Sequence, residues 1–599
     1  MSEPIWTPDS RTIDQANVTR LMRRAGVEDY RELVERSASD PEWFWPLVVD
    51  DLDIEFSTPW TTVLDTSRGD EWPAWFVGGR LNIARHCVHR WALGPKADDP
   101  AAVFAGEDGA SRTLTFAELS DEVTRFAEGL ARLGVREGDR VGIYLPMSPE
   151  AAIVSHACSH IGAIQLPIFS GFAAPAVAQR LVHAEAKVVV TADGSLRRGR
   201  EQPMKAILDE AASEAPSVEH VVVWQRLGDD GVPMTAGRDV FWSDAVSASP
   251  GELPPVEVES ETPFLIAYTS GTTGAPKGVV HVQGGFLVSI AREAAYHIDS
   301  GPDDVWHFVT DMGWIMGPWV MIGGGAAGST VVYAEGAPDW PSDRLWSLIE
   351  REGVTLLGLS PTLARALIPH GTPTADLSSL RAMMTTGEPW NPGPYRWLFE
   401  NVGGGRCPIL NCSGGTEVGA CFLGPSPVMP IKTCSLGIPA LGVALDVVDE
   451  EGNSVREEVG ELVCRRPWPG MTRGFWRDEA RYLETYWRRL PGVWVHGDWA
   501  SVDADGYWFL HGRSDDTLNI AGKRIGPAEI ESPAVTHPSV LEAAAVGVPH
   551  EVKGEVVWLF CVAAGDADLD AAAEVVAGLV GDDLGKAFRP ERVIFVDAL

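Results

Sequence analysis

Short apolar runs recur along this chain, and segments with helical periodicity separate them. A run that is apolar along its whole length is typical of a strand buried on both faces, in a mostly parallel sheet covered by helices. The sequence therefore predicts an α/β fold, with ligand sites at the carboxyl ends of the strands. The runs are Val141 to Leu145, Val188 to Thr191, Val221 to Trp224, Phe264 to Thr269, Val305 to Thr310, Thr330 to Tyr333, Thr355 to Leu359 and Ile409 to Asn411.

Other segments have a different character. Residues 1–95 are rich in Trp and predict a layer that packs against the rest of the chain. Thr115 and Glu118 form a capping-box pattern that predicts a helix start. After about residue 409, turn-bounded runs predict a small antiparallel subdomain, and residues from about 516 predict a final α+β unit. The antiparallel runs are Leu445 to Val448, Glu461 to Cys464 and Tyr507 to Leu510.

Charge and composition exclude several classes of protein. The chain has 84 acidic and 48 basic residues, a formal charge of −36, whereas binding to nucleic acid or anionic membranes needs the opposite balance. The N-terminus has no signal-like apolar run, and no stretch of about 18 apolar residues follows. We therefore expect a cytoplasmic protein without membrane insertion. The 8 Cys are scattered without CxxC pairs, which favours reduced thiols over a disulfide or metal framework.

The strongest motif directly follows the strand predicted to begin at Phe264. It combines hydroxyl side chains, glycines and Lys277, which are the components of a phosphate-binding loop. It is not a Walker A loop, because Lys277 lies between Pro276 and Gly278 and no Ser or Thr follows it. The predicted phosphate-binding residues are Thr269, Ser270, Gly271, Thr272, Thr273, Gly274 and Lys277.

With this loop and further motifs in the same order, the sequence resembles the AMP-forming adenylate enzymes, and among them the acetyl-CoA-synthetase-like acyl-CoA synthetases. The leader resembles that of acetyl- and acetoacetyl-CoA synthetases. The resemblance implies three regions: a leader (1–95), an AMP-binding adenylation domain (96–514) and a mobile C-terminal domain (515–599). The further motifs are Thr385 to Pro389, Ser413 to Gly419, His496 to Asp498, Gly512 to Asp516 and Asn519 to Arg524.

The resemblance implies a two-step ligase that uses ATP, Mg²⁺ and CoA. A carboxylate attacks the α-phosphorus of ATP and releases pyrophosphate, and the CoA thiol then displaces AMP from the acyl-adenylate. Glu417 is the implied Mg²⁺ ligand, and Thr416 the implied phosphate donor. Asp498 is expected to hold the ribose, Arg513 the ribose or phosphate, and Arg524 the α-phosphate. The implied adenine-binding residues are Gly387, Glu388 and Pro389.

The family's CoA contacts and hinge also have counterparts. Arg197 and Arg200 resemble the contact with the CoA phosphates, although a plain basic surface loop is the alternative. Asp515 corresponds to the hinge of the mobile domain, and Ala521 and Gly522 are expected to face CoA after rotation. The sequence leaves open whether the protein is a monomer or a homodimer.

The acid pocket departs from that of acetate-using relatives. They have a Trp two residues before the Thr of the Thr-Glu motif, and here that position is Gly414. Loss of an indole predicts an acid larger than acetate: short- to medium-chain, branched, keto or small aryl. Ser-Gly-Gly-Thr also matches acetoacetyl-CoA synthetases, so acetate or acetoacetate stays an alternative. The other expected pocket residues are Trp314, Ile315, Met316 and Thr386.

The C-terminal domain departs as well. In the family, a strand like Arg592 to Val596 precedes a segment whose final Lys assists adenylation, and this sequence ends at Leu599. Either the sequence is a fragment that stops before that Lys, or the protein naturally lacks it, in which case adenylation is expected to be slow. An adenylation-defective nucleotide-binding protein is one alternative. Transfer of the acyl group to a carrier protein or an amine is another.

Overall fold

The computed structural model describes residues 3–228, 231–246, 253–269, 276–514, 518–520, 523–525, 527–550, 554–564, 568–584 and 588–599. Two seven-stranded sheets form its centre, and each has one antiparallel strand at an edge of an otherwise parallel sheet. In spatial order, the first sheet consists of Asp239–Phe241, His220–Trp224, Val188–Ala192, Arg140–Tyr144, Ile164–Pro167, Pro263–Thr269 and Lys277–Val282. The second consists of Ile409–Asn411, Ala382–Thr385, Leu356–Leu359, Val305–Phe308, Thr330–Ala334, Pro100–Ala105 and Ser111–Thr115.

Smaller sheets complete the molecule. An antiparallel sheet contains Leu445–Val448, Gly460–Cys464, Trp494–Val502 and Trp508–Arg513. A three-stranded sheet contains Ser413–Gly414, Cys421–Gly424 and Ile438–Pro439. The C-terminal sheet contains Lys523–Ile525, Leu518–Ile520, Gly554–Ala563, Val540–His550 and Arg592–Val596. Three two-stranded ribbons pair Thr62–Asp65 with Ala74–Val77, Ser195–Arg197 with Arg200–Gln202, and Arg80–Leu81 with Val258–Glu259.

Helices cover both large sheets. Ser148 caps the helix that begins at Pro149, and Asp40 caps the one that begins at Pro41. The α-helices are Ser10–Gln15, Asn17–Ala25, Tyr30–Ser39, Pro41–Asp51, Arg90–Ala92, Phe116–Arg132, Pro149–His160, Ala174–Ala184, Met204–Ala212, Trp242–Ala245, Gln283–Tyr296, Met316–Ala327, Arg344–Glu352, Pro361–Leu367, Pro392–Trp397, Glu479–Tyr486, Pro527–Ala534 and Leu569–Leu584. Short π-helical turns span Arg85–His89 and Leu398–Val402, and a 3₁₀ turn spans Ile368–His370. Among the described helices, none is long and apolar enough to cross a bilayer.

The α/β class is confirmed, and each of the eight apolar runs locates a parallel strand to within about two residues. The runs do not include the parallel strands Pro100–Ala105, Ile164–Pro167, Asp239–Phe241 and Ala382–Thr385. The capping box is present in full: Thr115 Oγ1 accepts a hydrogen bond from Glu118 N, and the Glu118 carboxylate accepts one from Thr115 N. The antiparallel strand Lys277–Val282 is not among the predicted strands, and its first residue belongs to the predicted phosphate-binding loop. The strand predicted to reach Thr310 ends at Phe308, because the chain leaves the sheet there to line a cavity.

The Trp-rich leader packs on the large domain. Phe44 and Trp45 are fully buried, and the Trp45 ring lies 6.1 Å from that of Trp75. Gly442, at φ +79°, accommodates this contact, because a Cβ there would lie 2.5 Å from the Trp45 ring. The Ser37 hydroxyl also accepts a hydrogen bond of 2.8 Å from Gly442 N. The leader is therefore fixed to the large domain by aromatic burial and by buried polar contacts such as this one.

Candidate active site

A cavity of about 1020 Å³ lies at the carboxyl ends of both large sheets. The first sheet supplies the segments that follow its strands, at 146–147, 169–171 and 195–197, and the second supplies 308–311, 334–336, 358–360 and 384–387. Chain segments after the last strand of the second sheet, at 414–416 and 419–421, close one wall. The cavity thus occupies the place that the strand pattern predicts for a ligand in an open α/β fold.

Many of the residues predicted for the site meet in this cavity. The expected acid-pocket residues, one of the two CoA-contact arginines, part of the predicted adenine loop and Thr416 all line it. These residues are Arg197, Trp314, Ile315, Met316, Thr386, Gly387, Gly414 and Thr416. Segments separated by more than 200 residues in sequence therefore face one space.

Three small residues, Gly414, Ala420 and Cys421, form one wall of the cavity. The larger side chains of Ile315, Met316 and Trp319 line the same cavity. Gly414 pairs with Cys421 at an irregular point of an antiparallel ladder. A Cβ on Gly414 would lie 2.4 Å from the Ala420 carbonyl oxygen, so this backbone admits no side chain at that position.

Asp311 ties the neighbouring loops together. Its carboxylate accepts hydrogen bonds from Ser170 N at 3.2 Å and Gly313 N at 2.9 Å, and from the Ser170 hydroxyl. Burial raises the pKa of Asp311, while the hydrogen bonds from Ser170 and Gly313 oppose that rise. Sequence reasoning missed both Asp311 and Ser170. Asp311 could have been found from its position, because it is an acidic residue shortly after a buried strand, where ligand sites of α/β folds lie.

A polar cluster lies next to the cavity, where Glu417 follows Thr416. His496 lies between two carboxylates, with Nδ1 3.6 Å from Glu417 Oε1 and Nε2 3.4 Å from Asp498 Oδ2. Arg513 Nη1 donates to Asp498 Oδ1 at 3.3 Å across the strand pair. Burial and the Glu417 carboxylate raise the pKa of Tyr486 well above its ordinary value. Glu417, Asp498 and Arg513, which the sequence singled out, therefore form one cluster.

Backbone geometry holds this cluster in place. Gly497 has φ +88°, and a Cβ there would lie 2.7 Å from Arg513 Nη2. A Cβ on Gly415 would lie 2.9 Å from Glu417 Oε1. The ring of His281 is buried, and its Nε2 atom lies 2.6 Å from the carbonyl oxygen of Thr416. Burial lowers the pKa of His281 to about 4, so the ring is neutral near pH 7 and its Nε2–H donates to that carbonyl.

The predicted adenine loop follows the strand Ala382–Thr385. The Thr385 hydroxyl donates to Asn411 Oδ1 at 3.1 Å and accepts from Trp390 Nε1 at 2.9 Å. The Glu388 side chain points away from the cavity lining, because it accepts from Thr362 N at 2.6 Å and pairs with Arg365 at 2.8 Å. Glu388 and Pro389 are absent from the lining.

Other predicted residues lie elsewhere. Lys277 begins an edge strand opposite Thr269, with its Nζ 5.6 Å from the centre of the Phe475 ring. Arg200 is exposed, paired in register with Arg197 across a tight turn, and does not line the cavity. Residues 270–274, 515, 521 and 522 lie outside the described residues, as does the side chain of Arg524.

Comparison with known proteins matches most of this chain. Residues 88–476 match the AMP-binding enzyme family, residues 30–87 match the acetyl-coenzyme A synthetase N-terminus, and residues 529–599 match the AMP-binding enzyme C-terminal domain. The chain belongs to the AMP-binding enzyme family.

Individual relatives agree with this assignment. The acetyl-coenzyme A synthetase of Methanothrix thermoacetophila is 41% identical over 98% of this chain and 90% of its own length. That of Rhodopirellula baltica is 40% identical over 96% of this chain and 87% of its own. Among solved structures, acetoacetyl-CoA synthetase from Streptomyces lividans has a TM-score of 0.92 and 33% identity, over 100% of this chain and 92% of that one.

These similarities confirm the predicted activity at the level of reaction class. The chain is an AMP-forming acyl-CoA synthetase, a ligase whose substrates are ATP, CoA and a carboxylic acid. The relatives differ in the acid that their names specify, acetate in the first two and acetoacetate in the third.

Proposed function

We propose that this enzyme activates a carboxylic acid larger than acetate: a short- to medium-chain, branched, keto or small aryl acid. The observation that carries the proposal is Gly414, in a cavity wall whose neighbouring residues are Ala420 and Cys421. Because nucleotide, acid and thiol would share the cavity, its total volume does not indicate the size of the acid, whereas the side chains of this wall do. Where acetate-using relatives have an indole, this wall has hydrogen, methyl and thiol groups.

The proposed roles of the chain's residues follow from their chemistry. Thr416 offers a hydroxyl donor to phosphate oxygens, and Asp498 offers a carboxylate to the ribose hydroxyls. Arg513, already paired with Asp498, is suited to hold the ribose or a phosphate. Lys277 is proposed to contribute positive charge as the acid's oxygen attacks the α-phosphorus and pyrophosphate leaves. The loop 270–274 and Arg524 complete the phosphate contacts in this proposal.

Glu417 is the proposed Mg²⁺ ligand. Its carboxylate is largely buried beside Asp498 and His496, and an oxygen donor of this kind suits a hard divalent cation. Bound Mg²⁺ would supply neutralisation of the phosphate charge. His496 lies between the two carboxylates, 3.6 Å from Glu417 and 3.4 Å from Asp498.

The second half-reaction uses the opposite side of the cavity. We propose that Arg197 attracts the CoA phosphates, with Arg200 farther out, while the thiol enters past Phe169 and Trp314. The Phe169 and Trp314 rings lie 5.5 Å apart, and Trp314 is 53% exposed. The thiol sulfur attacks the acyl carbon and AMP leaves. A hinge at Asp515, which brings Ala521 and Gly522 to the thiol, belongs to the same proposal.

A panel of acids tests the size of the pocket. Pyrophosphate release is measured with ATP and Mg²⁺ for acids from acetate to octanoate, plus acetoacetate, isobutyrate and phenylacetate, with and without CoA. Burial of each added methylene group is worth about 0.8 kcal/mol, or roughly fourfold in kcat/KM, until the pocket is full. We therefore expect kcat/KM for the preferred acid to exceed that for acetate by about tenfold or more.

A pocket variant sharpens the test. Met316→Trp adds an indole to the cavity wall and is expected to lower kcat/KM for the larger acids while acetate is still accepted. Met234→Trp, at a half-buried position outside the cavity lining, is the matched control. Efficient turnover of acetate alone by the unmodified enzyme would refute the proposal. If no acid causes pyrophosphate release but added acyl-adenylate and CoA form thioester, adenylation is defective.

A further inference from the structure

Two cysteines and a glutamate form a cluster at the small-residue wall, to which Cys421 belongs, and none of them takes part in a chemical step of the proposed mechanism. The ligand atoms of Glu293, Cys412 and Cys421 all lie within 4.8 Å of one another. They come from three segments: the helix Gln283–Tyr296, the residue after the strand Ile409–Asn411, and the first residue of the strand Cys421–Gly424. Their exposed fractions are 0%, 2% and 5%.

The glutamate is incompletely satisfied. Glu293 Oε2 accepts a hydrogen bond of 2.9 Å from Cys421 N, whereas Oε1 is fully buried and has no hydrogen-bond partner among the described residues. A buried carboxylate oxygen without a partner is costly, which suggests that another group satisfies it. The sulfur atoms of Cys412 and Cys421 lie beside it, so a cation bound to both would also reach the carboxylate.

His297 borders the same space. A Cβ placed on Gly424 would lie 3.2 Å from Cys412 Sγ and 3.3 Å from His297 Nδ1. Nδ1 has no hydrogen-bond partner in the described part of the chain, and Nε2 lies 3.2 Å from Arg292 Nη1. Since a guanidinium only donates hydrogen bonds, Nε2 accepts from Nη1 and the neutral ring carries its proton on Nδ1, which can donate to a group bound in this space.

Charge balance also favours a divalent cation. Two thiolates and one carboxylate carry three negative charges, a divalent cation leaves one, and the guanidinium of Arg292 cancels it. Arg292 is fully buried, and its Nε and Nη2 have no hydrogen-bond partner among the residues described. It is close enough to Glu293, Cys412 and Cys421 to interact with all three electrostatically.

We propose that Cys412, Cys421 and Glu293 bind a zinc ion, with a water molecule in the fourth position to which the Nδ1–H of His297 would donate. Two thiolate sulfurs and oxygen donors are ligand types that Zn²⁺ accepts in a tetrahedral site. At Zn–S distances of about 2.3 Å the two sulfurs would be roughly 3.8 Å apart, within the spacing of the cluster. Binding replaces the two thiol protons, which pass to solvent. The ion would tie the buried helix to the segments that carry Gly414 and Ala420, and so would fix one wall of the acid pocket.

Cobalt provides a direct test on the unmodified full-length chain. The purified protein is treated with a reductant and a chelator, desalted, and titrated with Co²⁺. We expect about one equivalent to bind, with a thiolate-to-cobalt charge-transfer band and the strong visible absorption of tetrahedral Co²⁺. Zn²⁺ should abolish both signals, and two protons per chain should be released. Absence of the band, or a disulfide between Cys412 and Cys421 after purification under reducing conditions, would overturn the proposal.

Variants locate the ligands. Cys412→Ser and Cys421→Ser are expected to lose the charge-transfer band, and Glu293→Gln to weaken Zn²⁺ binding about tenfold or more. Cys158→Ser, a fully buried cysteine in the helix Pro149–His160, is the matched control and should keep the band. If a variant does not fold, alkylation of the unmodified protein replaces it. In that case Zn²⁺ should protect Cys412 and Cys421 but not Cys434. Equal protection of all three would contradict the site.

Discussion

At the scale of single residues, Gly414 determines both the open wall of the acid pocket and the close approach of two backbone segments. The carbonyl of Ala420 occupies the direction in which a Cβ would project. The open wall is therefore built into the backbone, and a large side chain at this position would require the strand Cys421–Gly424 to move. A specificity change at 414 is consequently coupled to stability.

The first prediction concerns this close contact. Gly414→Ala is expected to lower the free energy of unfolding by about 1–3 kcal/mol, because overpacking forces the backbone to shift. Urea unfolding followed by tryptophan fluorescence measures the change. Gly578→Ala is the control, since a Cβ there meets nothing within 4 Å in the helix Leu569–Leu584. It should stabilise the protein slightly. Equal urea midpoints for the two variants would contradict the prediction, because they would show that the backbone near Gly414 accommodates a Cβ without loss of stability.

The second prediction concerns His281, a positioning residue that acts through Thr416. His281→Phe removes the donor and leaves the Thr416 carbonyl without it, at a cost of about 1–3 kcal/mol. We expect kcat/KM for ATP to fall about 10- to 100-fold in pyrophosphate release. His281→Gln keeps a donor and should recover part of the loss. If the Phe and Gln variants were equally active, the hydrogen bond would have no part in positioning Thr416.

Sequence reasoning was most informative where a residue's chemistry and its local motif coincide. Glu417, Asp498 and Arg513 were named from motifs, and they lie together because two antiparallel strands and the loop after Gly415 converge. Asp311 and His281 were missed because their partners, Ser170 and Thr416, are more than 130 residues away in sequence. The direction of the Glu388 side chain was also beyond prediction, since Thr362 and Arg365 on another helix determine it.

At the scale of elements, the leader helix Pro41–Asp51 shows how burial fixes a segment to the core. Trp45 is fully buried. The centre of its ring lies 5.1 Å from that of Phe44 in an edge-on contact, and the buried Arg292 guanidinium lies over the same indole. Trp43, two residues earlier, is only partly buried, and the guanidinium of Arg36 lies 3.7 Å from its ring centre. The two indoles therefore differ in burial while sharing one helix.

That difference gives a third prediction. Trp45→Ala is expected to cost about 3–5 kcal/mol of stability, because it leaves a cavity at the centre of the contact. Trp43→Ala should cost about 1 kcal/mol or less, because its ring keeps contact with water. Limited proteolysis should then cleave the Trp45→Ala leader faster than the Trp43→Ala leader. Cleavage at the same rate would mean that aromatic burial does not hold the leader in place.

The elements themselves were largely predictable from pattern. Central strands such as Val188–Ala192 and Ile409–Asn411 are continuously apolar because both faces are covered, and that is visible in sequence. The pairing of Lys277–Val282 with Pro263–Thr269 is antiparallel, and apolar patterning does not encode that direction. The order of strands and the convergence of both sheets on one cavity required the structure.

At the scale of the whole molecule, buried histidines govern the response to acid. Burial lowers the pKa of nine histidines among the described residues. It is lowered to about 3 for His89 and His297, and to about 4 for His156, His281, His307 and His511. The other three are His86, His160 and His183. In the unfolded chain these rings titrate near 6.5. The unfolded state therefore binds more protons than the folded state as the pH falls below that value.

The fourth prediction follows from the sign of this difference. Folded-state pKa values below the unfolded ones contribute stability that is full above pH 6.5 and is lost as the pH falls towards 4, at about 1.4 kcal/mol per pH unit for each proton. Buried carboxylates with raised pKa values, such as Glu150 and Glu335, oppose this trend as the pH falls through those raised values. The urea midpoint should therefore drop steeply between pH 7.5 and 5.5 at fixed ionic strength. His307→Asn should reduce the pH dependence of the unfolding free energy by the contribution of about one proton. His370→Asn, at an exposed position, is the control and should leave that pH dependence unchanged. A midpoint that is constant or rises towards pH 5.5 would contradict control by these rings.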